Sequence, residues 1–223
     1  KYLMDLIKTL EQLMNQDPIV RTGAEKLISQ LAEVDFKDYL EKLTAVLIGE
    51  SFSISVRKLS ATLIKNPIIN VPIYTEKWNN FSSETRDNLK QQILSTLGSE
   101  KPEVRKVAAS VIASIVKIET PISEKWPALL TILCQNKFEN TSFYNAAIET
   151  LGFICEELTK KTVLPGEVDQ ILSAIILCMK DNQADLQLVL SSMKALIRAL
   201  PLIGNQKMLI PQYSEIIMSQ IFS

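Results

Sequence analysis

The chain has 223 residues, of which 47% are hydrophobic and 22% charged, with a net charge of −1, 6 glycines, 3 cysteines and no histidine. That balance excludes intrinsic disorder, the absence of a Lys/Arg cluster argues against a nucleic-acid face, and no apolar run reaches the roughly 18 residues of a membrane span. Without histidine there is no Ser–His or Cys–His dyad, no histidine-type zinc site and no ordinary general base near neutral pH.

In chain order, amphipathic stretches alternate between two kinds, A and B. The first A stretch, "YLMDLIKTLEQLM", is interrupted by Asp5, Lys8 and Glu11, which argues against a secretory signal. The first B stretch is "DPIVRTGAEKLISQL" (17–31), and "KPEVRKVAASVIASI" (101–115) writes nearly the same helix again. The remaining A stretches are "FKDYLEKLTAVL", "ETRDNLKQQILSTL", "KWPALLTILCQN", "EVDQILSAIILCM" and "YSEIIMSQIF". Connections are short except for 69–82, "INVPIYTEKWNNFS", which reads as a long loop carrying Pro72 and Trp78.

The B stretches share a register. With position zero at Val20, Val56, Val104, Phe143 and Leu188, the intervals are 36, 48, 39 and 45 residues. Position four is always small (Ala24, Ser60, Ala108, Ala147, Ser192) and position eight is always aliphatic (Ile28, Ile64, Ile112, Leu151, Leu196). Offsets of zero, four and eight lie on one helical face, so each B helix is predicted to bury this face against its neighbours. Three residues before zero stand Asp17, Ser53, Lys101, Asn140 and Asp185. Four of these carry a short side-chain oxygen suited to an N-cap; Lys101 does not. Pro18 and Pro102 fit the first helical position, which needs no N–H.

Helix pairs at a period near 40 residues predict an all-α fold, a right-handed α-solenoid of HEAT repeats with five helix pairs plus one extra A helix. The expected organisation is a single solenoid over 1–223, with repeats near 1–34, 35–70, 82–119, 123–160 and 166–203 and a half repeat at 207–223. Its last apolar helix lacks a partner, which leads to the expectation of an N-terminal piece of a longer solenoid.

Chemistry is sparse. Cys134, Cys155 and Cys178 lie 21 and 23 residues apart inside apolar patterns and read as buried reduced thiols without CxxC spacing. Glu156 and Glu157 are adjacent, so on a helix they point about 100° apart and do not converge. No catalytic residue, metal or cofactor is expected, nor an enzyme. Arg21, Arg57 and Arg105 recur at one repeat position, as either a partner-binding row or a structural ladder hydrogen-bonded to the next repeat.

The segments "ATLIKNPI" (61–68), "EKWNNFSSETRDNLKQQILSTLG" (76–98), "ETPISEKWPALLTIL" (119–133) and "NAAIETLGFICEEL" (145–158) resemble the N-terminal repeats of the importin-β family of nuclear import receptors, in order and over almost the whole chain. The resemblance implies A helices on a convex face and B helices on a concave face that binds the GTPase Ran in its GTP form. It places Lys65 and Asn66, matching the family's "KN", at the Ran contact, with Arg105 and Glu149 as further B-helix positions. It also implies a convex-face site for FG-repeat nucleoporins between the fifth and sixth A helices, walled by Leu172, Ser173, Ile176, Ile216 and Ile217; the family typically has Phe where this chain has Ile216. Importin-α or direct cargo would engage mainly repeats outside this chain, and residence would be cytoplasmic, nuclear and at the nuclear pore, with no nucleic-acid or membrane partner. The alternative is a HEAT scaffold subunit of another complex, which explains the period but not the ordered "KW…R…LG" and "WPxLL" segments.

Overall fold

The computed structural model describes residues 2–135, 140–158, 164–181 and 185–205. These contain twelve α-helices, one 3₁₀ turn and no strand. They fall into two compact units, residues 1–111 and 112–223, with the boundary inside one helix.

The first unit contains α1 (Tyr2–Leu13), α2 (Pro18–Val34), α3 (Phe36–Ile48), α4 (Ile54–Asn70), α5 (Pro72–Asn79), α6 (Ser83–Ser95), the 3₁₀ turn Thr96–Gly98, and the first part of α7 (Pro102–Ile118). Helices α1 and α2 pack as a pair, as do α3 and α4; α3 also packs on α6, and α4 on α5. The second unit contains the rest of α7, then α8 (Ile122–Lys125), α9 (Pro127–Leu133), α10 (Thr141–Leu158), α11 (Pro165–Asp181) and α12 (Leu186–Asn205). In it α12 packs along α10 and α11.

The repeat register holds in three dimensions. Positions four and eight are buried in all five B helices (α2, α4, α7, α10 and α12), and position zero is buried in α4, α7 and α12. Val20 and Phe143 are half-buried at theirs. The caps form as the residue types require. Asp17 Oδ1 accepts from Ile19 N at 2.8 Å, Ser53 Oγ from Val56 N at 3.3 Å, and Asn140 Oδ1 from Phe143 N at 3.0 Å. Asp185 Oδ1 accepts from both Gln187 N and Leu188 N, at 3.0 and 3.1 Å. Each satisfies donors that the first turn leaves without a helical partner. At α7, Pro102 removes one such donor, and the Lys101 carbonyl accepts from Val104 N and Arg105 N.

Two local expectations are corrected. The 69–82 segment is not a loop: α4 runs through Pro67 to Asn70, and α5 follows after Val71. Pro72 sets the first turn of α5. The decisive force is packing: Trp78 is 1% exposed, and Phe36 holds Tyr74 and Phe81 at centroid distances of 4.6 and 6.1 Å. The Thr75 hydroxyl donates to the Ile68 carbonyl at 2.5 Å, tying α5 back to α4. Further on, "KWPALLTILCQN" is not one helix. Pro127 starts α9 and disfavours helical backbone at Trp126, whose φ of −147° separates α9 from α8. The last A helix and the half repeat at 207–223 lie outside the described residues.

Helices α10 and α12 approach closely at Gly152, where an added Cβ would stand 2.9 Å from Ala195 Cα. All three cysteines are free. Burial pushes the Cys134 and Cys155 thiols up to about 12, so neither ionises near neutral pH.

Candidate functional site

The first unit presents a cleft of about 280 Å³ between α2 and the α4–α5 corner. Ile28 and Ala32 line it from α2, Leu63 and Asn66 from α4, and Tyr74 from α5. The chain builds it by running a proline through the last turns of α4. Pro67 has no N–H to donate to the Leu63 carbonyl one turn back, and the corner that follows brings Tyr74 against Phe36. Burial raises the Tyr39 phenol, helped by neighbouring Tyr74; burial also raises Tyr74, helped by Glu33. Both phenols therefore stay neutral at physiological pH. Lys77 closes the corner, its Nζ lying 5.1 Å from the Tyr74 ring centroid and donating to the Glu33 carbonyl at 3.4 Å.

Asn66 is exposed at the rim of this cleft, and Lys65, its neighbour in the chain, is half-buried and not part of the lining. Neither side chain makes a hydrogen bond or ion pair with another described residue. Their polar groups are available to a partner, a condition that Arg57 and Arg105 do not share.

The arginines at the common repeat position have three different fates. Arg21 is exposed and lies 4.0 Å from Glu25 one turn on. Arg57 is 1% exposed. Its Nε donates to the Leu47 carbonyl at 2.8 Å, and its terminal nitrogens reach both Glu50 carboxylate oxygens at 2.9 and 3.0 Å. One of them also donates to Ser99 Oγ at 3.3 Å, and Ser99 Oγ donates to Glu50 at 2.9 Å. These bonds, the Arg57 ones first, hold the Glu50 carboxyl below its usual range. Arg105 donates to the backbone carbonyls of Ser99 and Glu100 at 2.7 and 3.2 Å. The structural ladder is therefore the arrangement for Arg57, which reaches Ser99 of the next repeat, whereas Arg105 braces the chain of its own repeat just before α7.

The other predicted positions lie in the second unit. Glu149 is half-buried on α10. On α11, Leu172 is fully buried, Ile176 is 7% exposed and Ser173 is half-exposed. Ile216 and Ile217 lie outside the described residues. Sequence reading missed Glu50 and Ser99, which meet Arg57 only through folding, and Tyr74, assigned to a loop. The Tyr–Lys–Trp spacing of "YTEKW" was the available signal for a helix there.

The importin-beta N-terminal domain family matches residues 24–99, which hold most of the cleft and the Arg57 network. The chain is 28% identical over 203 residues to importin subunit beta-1 of Arabidopsis thaliana and 27% identical over 198 residues to that of Schizosaccharomyces pombe. Those alignments take in 88% and 86% of this chain but 23% of each relative, so the chain spans about a quarter of the length of the relatives it matches. Among solved structures it superposes on importin beta crystallised in an ammonium sulfate condition, with a TM-score of 0.81 at 29% identity, over 90% of this chain and 24% of the other. It also superposes on Kap95p complexed with RanGDP (TM-score 0.87, 24% identity, 98% of this chain and 26% of the other) and on a Kap95:Nup1 complex (0.84, 23%, 98% and 26%). The paired-helix fold, the matched N-terminal domain and these relatives converge on one likeness: the chain is similar to the N-terminal part of importin-β receptors.

Proposed function

We propose that the chain supplies the Ran-GTP-binding B-helix surface of a nuclear import receptor. The observation that carries this reading is the pair Lys65 and Asn66, whose side chains have no partner among the described residues and of which Asn66 lines the α2–α4 cleft, inside the segment matched by the importin-beta N-terminal domain. Kap95p complexed with RanGDP supports a Ran family GTPase as the partner, and the Kap95:Nup1 complex supports nucleoporins as a second class. Arg105 would contribute by holding the backbone before α7 rather than by contact, because its guanidinium already serves two carbonyls. Glu149 is a further candidate contact on α10. For FG-repeat nucleoporins, Ser173 is the accessible position of the α11 group, and Leu172 and Ile176 would support the wall from beneath.

Burying one phenylalanine contributes roughly 1.5–3 kcal/mol against association costs of about 4–15 kcal/mol. A single FG contact would therefore exchange quickly, as passage through a mesh of many such repeats requires. Ran-GTP would favour one curvature of the receptor and disfavour the cargo-bound one through differential affinity. Importin-α and cargo would bind mainly elsewhere, and the receptor would shuttle between cytoplasm and nucleus through the pore.

Calorimetric titration with Ran loaded with GTP analogue or GDP tests this. Tighter binding of the GTP form is expected, and Lys65→Ala with Asn66→Ala should weaken it by roughly tenfold or more. An absence of binding to either form would overturn the reading.

A further inference from the structure

The α2–α4 cleft holds hydrogen-bonding groups that the fold leaves without partners. Tyr39 reaches the cleft from α3 and is 3% exposed, yet its hydroxyl has no hydrogen-bond partner among the described residues. That hydroxyl is not among the described side-chain oxygens that are both sealed and unpartnered, so it keeps an opening, and the cleft is what Tyr39 lines. A hydroxyl held so deep without a partner costs free energy, and an occupant of the cleft can supply one.

Two further groups stand on α4. Asn66 and Asn70 both line the cleft and are exposed, and neither carboxamide is bonded to another described residue. Four residues apart, they share a helical face and are separated by about 6 Å along the axis. An extended peptide advances about 6.6–6.8 Å over two residues. Each carboxamide offers a donor and an acceptor, the pair that the C=O and N–H of one extended residue require. Asparagines one turn apart can therefore hold residues i and i+2 of a strand, whose amide groups point to the same side. The rest of the lining is largely apolar, with Ile28 and Ala32 on α2 and Leu63 and Pro67 on α4, and none of the described lining residues is charged.

We infer that the cleft seats an extended, uncharged peptide segment of a partner protein, with Asn66 and Asn70 holding its main chain and a tyrosine inserted so that its hydroxyl pairs with that of Tyr39. The volume of about 280 Å³ and the apolar walls suit a ring, and the deep hydroxyl suits a side chain that ends in one. A lysine, arginine or carboxylate would meet no countercharge in the lining. A free small molecule would make no use of the matched step of the two asparagines. The site shares Asn66 with the Ran surface proposed above but does not rest on it, because Tyr39 and Asn70 carry it.

Nuclear magnetic resonance of the whole 223-residue chain tests this. The probe is the capped peptide Gly-Ser-Ser-Tyr-Ser-Ser-Gly, with phenylalanine in place of tyrosine as the control, each titrated to about 5 mM to reach millimolar dissociation constants. The tyrosine peptide should shift the side-chain amide signals of Asn66 and Asn70. The phenylalanine peptide should bind about three- to tenfold more weakly for want of one hydrogen bond. Tyr39→Phe removes a hydroxyl with no described partner in the fold, so the protein should stay intact while the two peptides become equal. Asn70→Ala, at the exposed end of α4, should weaken both peptides alike. No shift with either peptide overturns the inference, as does a preference for tyrosine that survives Tyr39→Phe, or binding indifferent to Asn70→Ala. Ran-GTP binding without peptide binding would overturn the peptide site alone and leave the Ran surface standing; peptide binding without Ran binding would do the reverse.

Discussion

The second B helix and the last one solve the same mechanical problem with opposite chemistry. Around α4, Arg57 is sunk almost completely and joins the end of α3, Glu50 and Ser99 through its Nε and both terminal nitrogens. Around α12, the junction with α10 rests on close approach at Gly152, while Arg198 stays near the surface, stacked 4.3 Å from the Phe153 ring centroid and 3.5 Å from Glu156. A repeat motif therefore does not prescribe how successive repeats are joined. A long polar side chain requires partners at fixed points, whereas small residues require only that nothing protrude.

The sharpest way to break this comparison is to remove each arginine. Arg57→Met strands the Leu47 carbonyl where water has little access and removes the paired donors of Glu50, so a loss of about 2–4 kcal/mol is expected in urea unfolding. Arg198→Met removes a partly exposed ion pair and a ring contact, and about 0.5–1.5 kcal/mol is expected. Equal losses would erase the distinction. Next in size is Gly152→Val. Its Cβ would meet Ala195 backbone rather than a yielding side-chain tip, so about 1–3 kcal/mol of destabilisation is expected despite valine's better helix propensity. A neutral result would mean that α10 and α12 separate at little cost. The smallest effect is the pH dependence of Glu50. Its folded-state pKa is lowered by Arg57, so its contribution is complete above the ordinary carboxylate range and is lost as pH falls through the lowered value. Glu50→Gln should be slightly less stable than the parent near pH 7, and unfolding curves of the two should converge in acid.

The caps, the small residue at position four and the aliphatic residue at position eight were legible because each depends on neighbours within two helical turns. Helix α5 was not, because its eight residues owe their place to Phe36 and Phe81, outside the helix itself. The split at Trp126 was written in the following proline, yet the apolar pattern on both sides suggested one continuous helix. The arginines show the limit most clearly. Arg57 and Arg105 share a repeat position, but the first is sunk beside the Glu50 carboxylate and the Ser99 hydroxyl while the second meets the backbone carbonyls of Ser99 and Glu100. At the candidate site, Lys65 and Asn66 were found through the family's "KN" signature, whereas the cleft beside them depends on a corner that spacing did not reveal. Leu172 illustrates the converse: an apolar helical position reads alike whether it lines a surface or lies beneath one.

Ser99 receives Arg57 on its hydroxyl and Arg105 on its carbonyl, so one residue of a short connection takes a side chain from each of two successive B helices. This fixes the length of the connection as well as its path. An inserted residue between Gly98 and Pro102 would pull one arginine from its acceptor. Natural length variation and engineered insertions should therefore be penalised before α7.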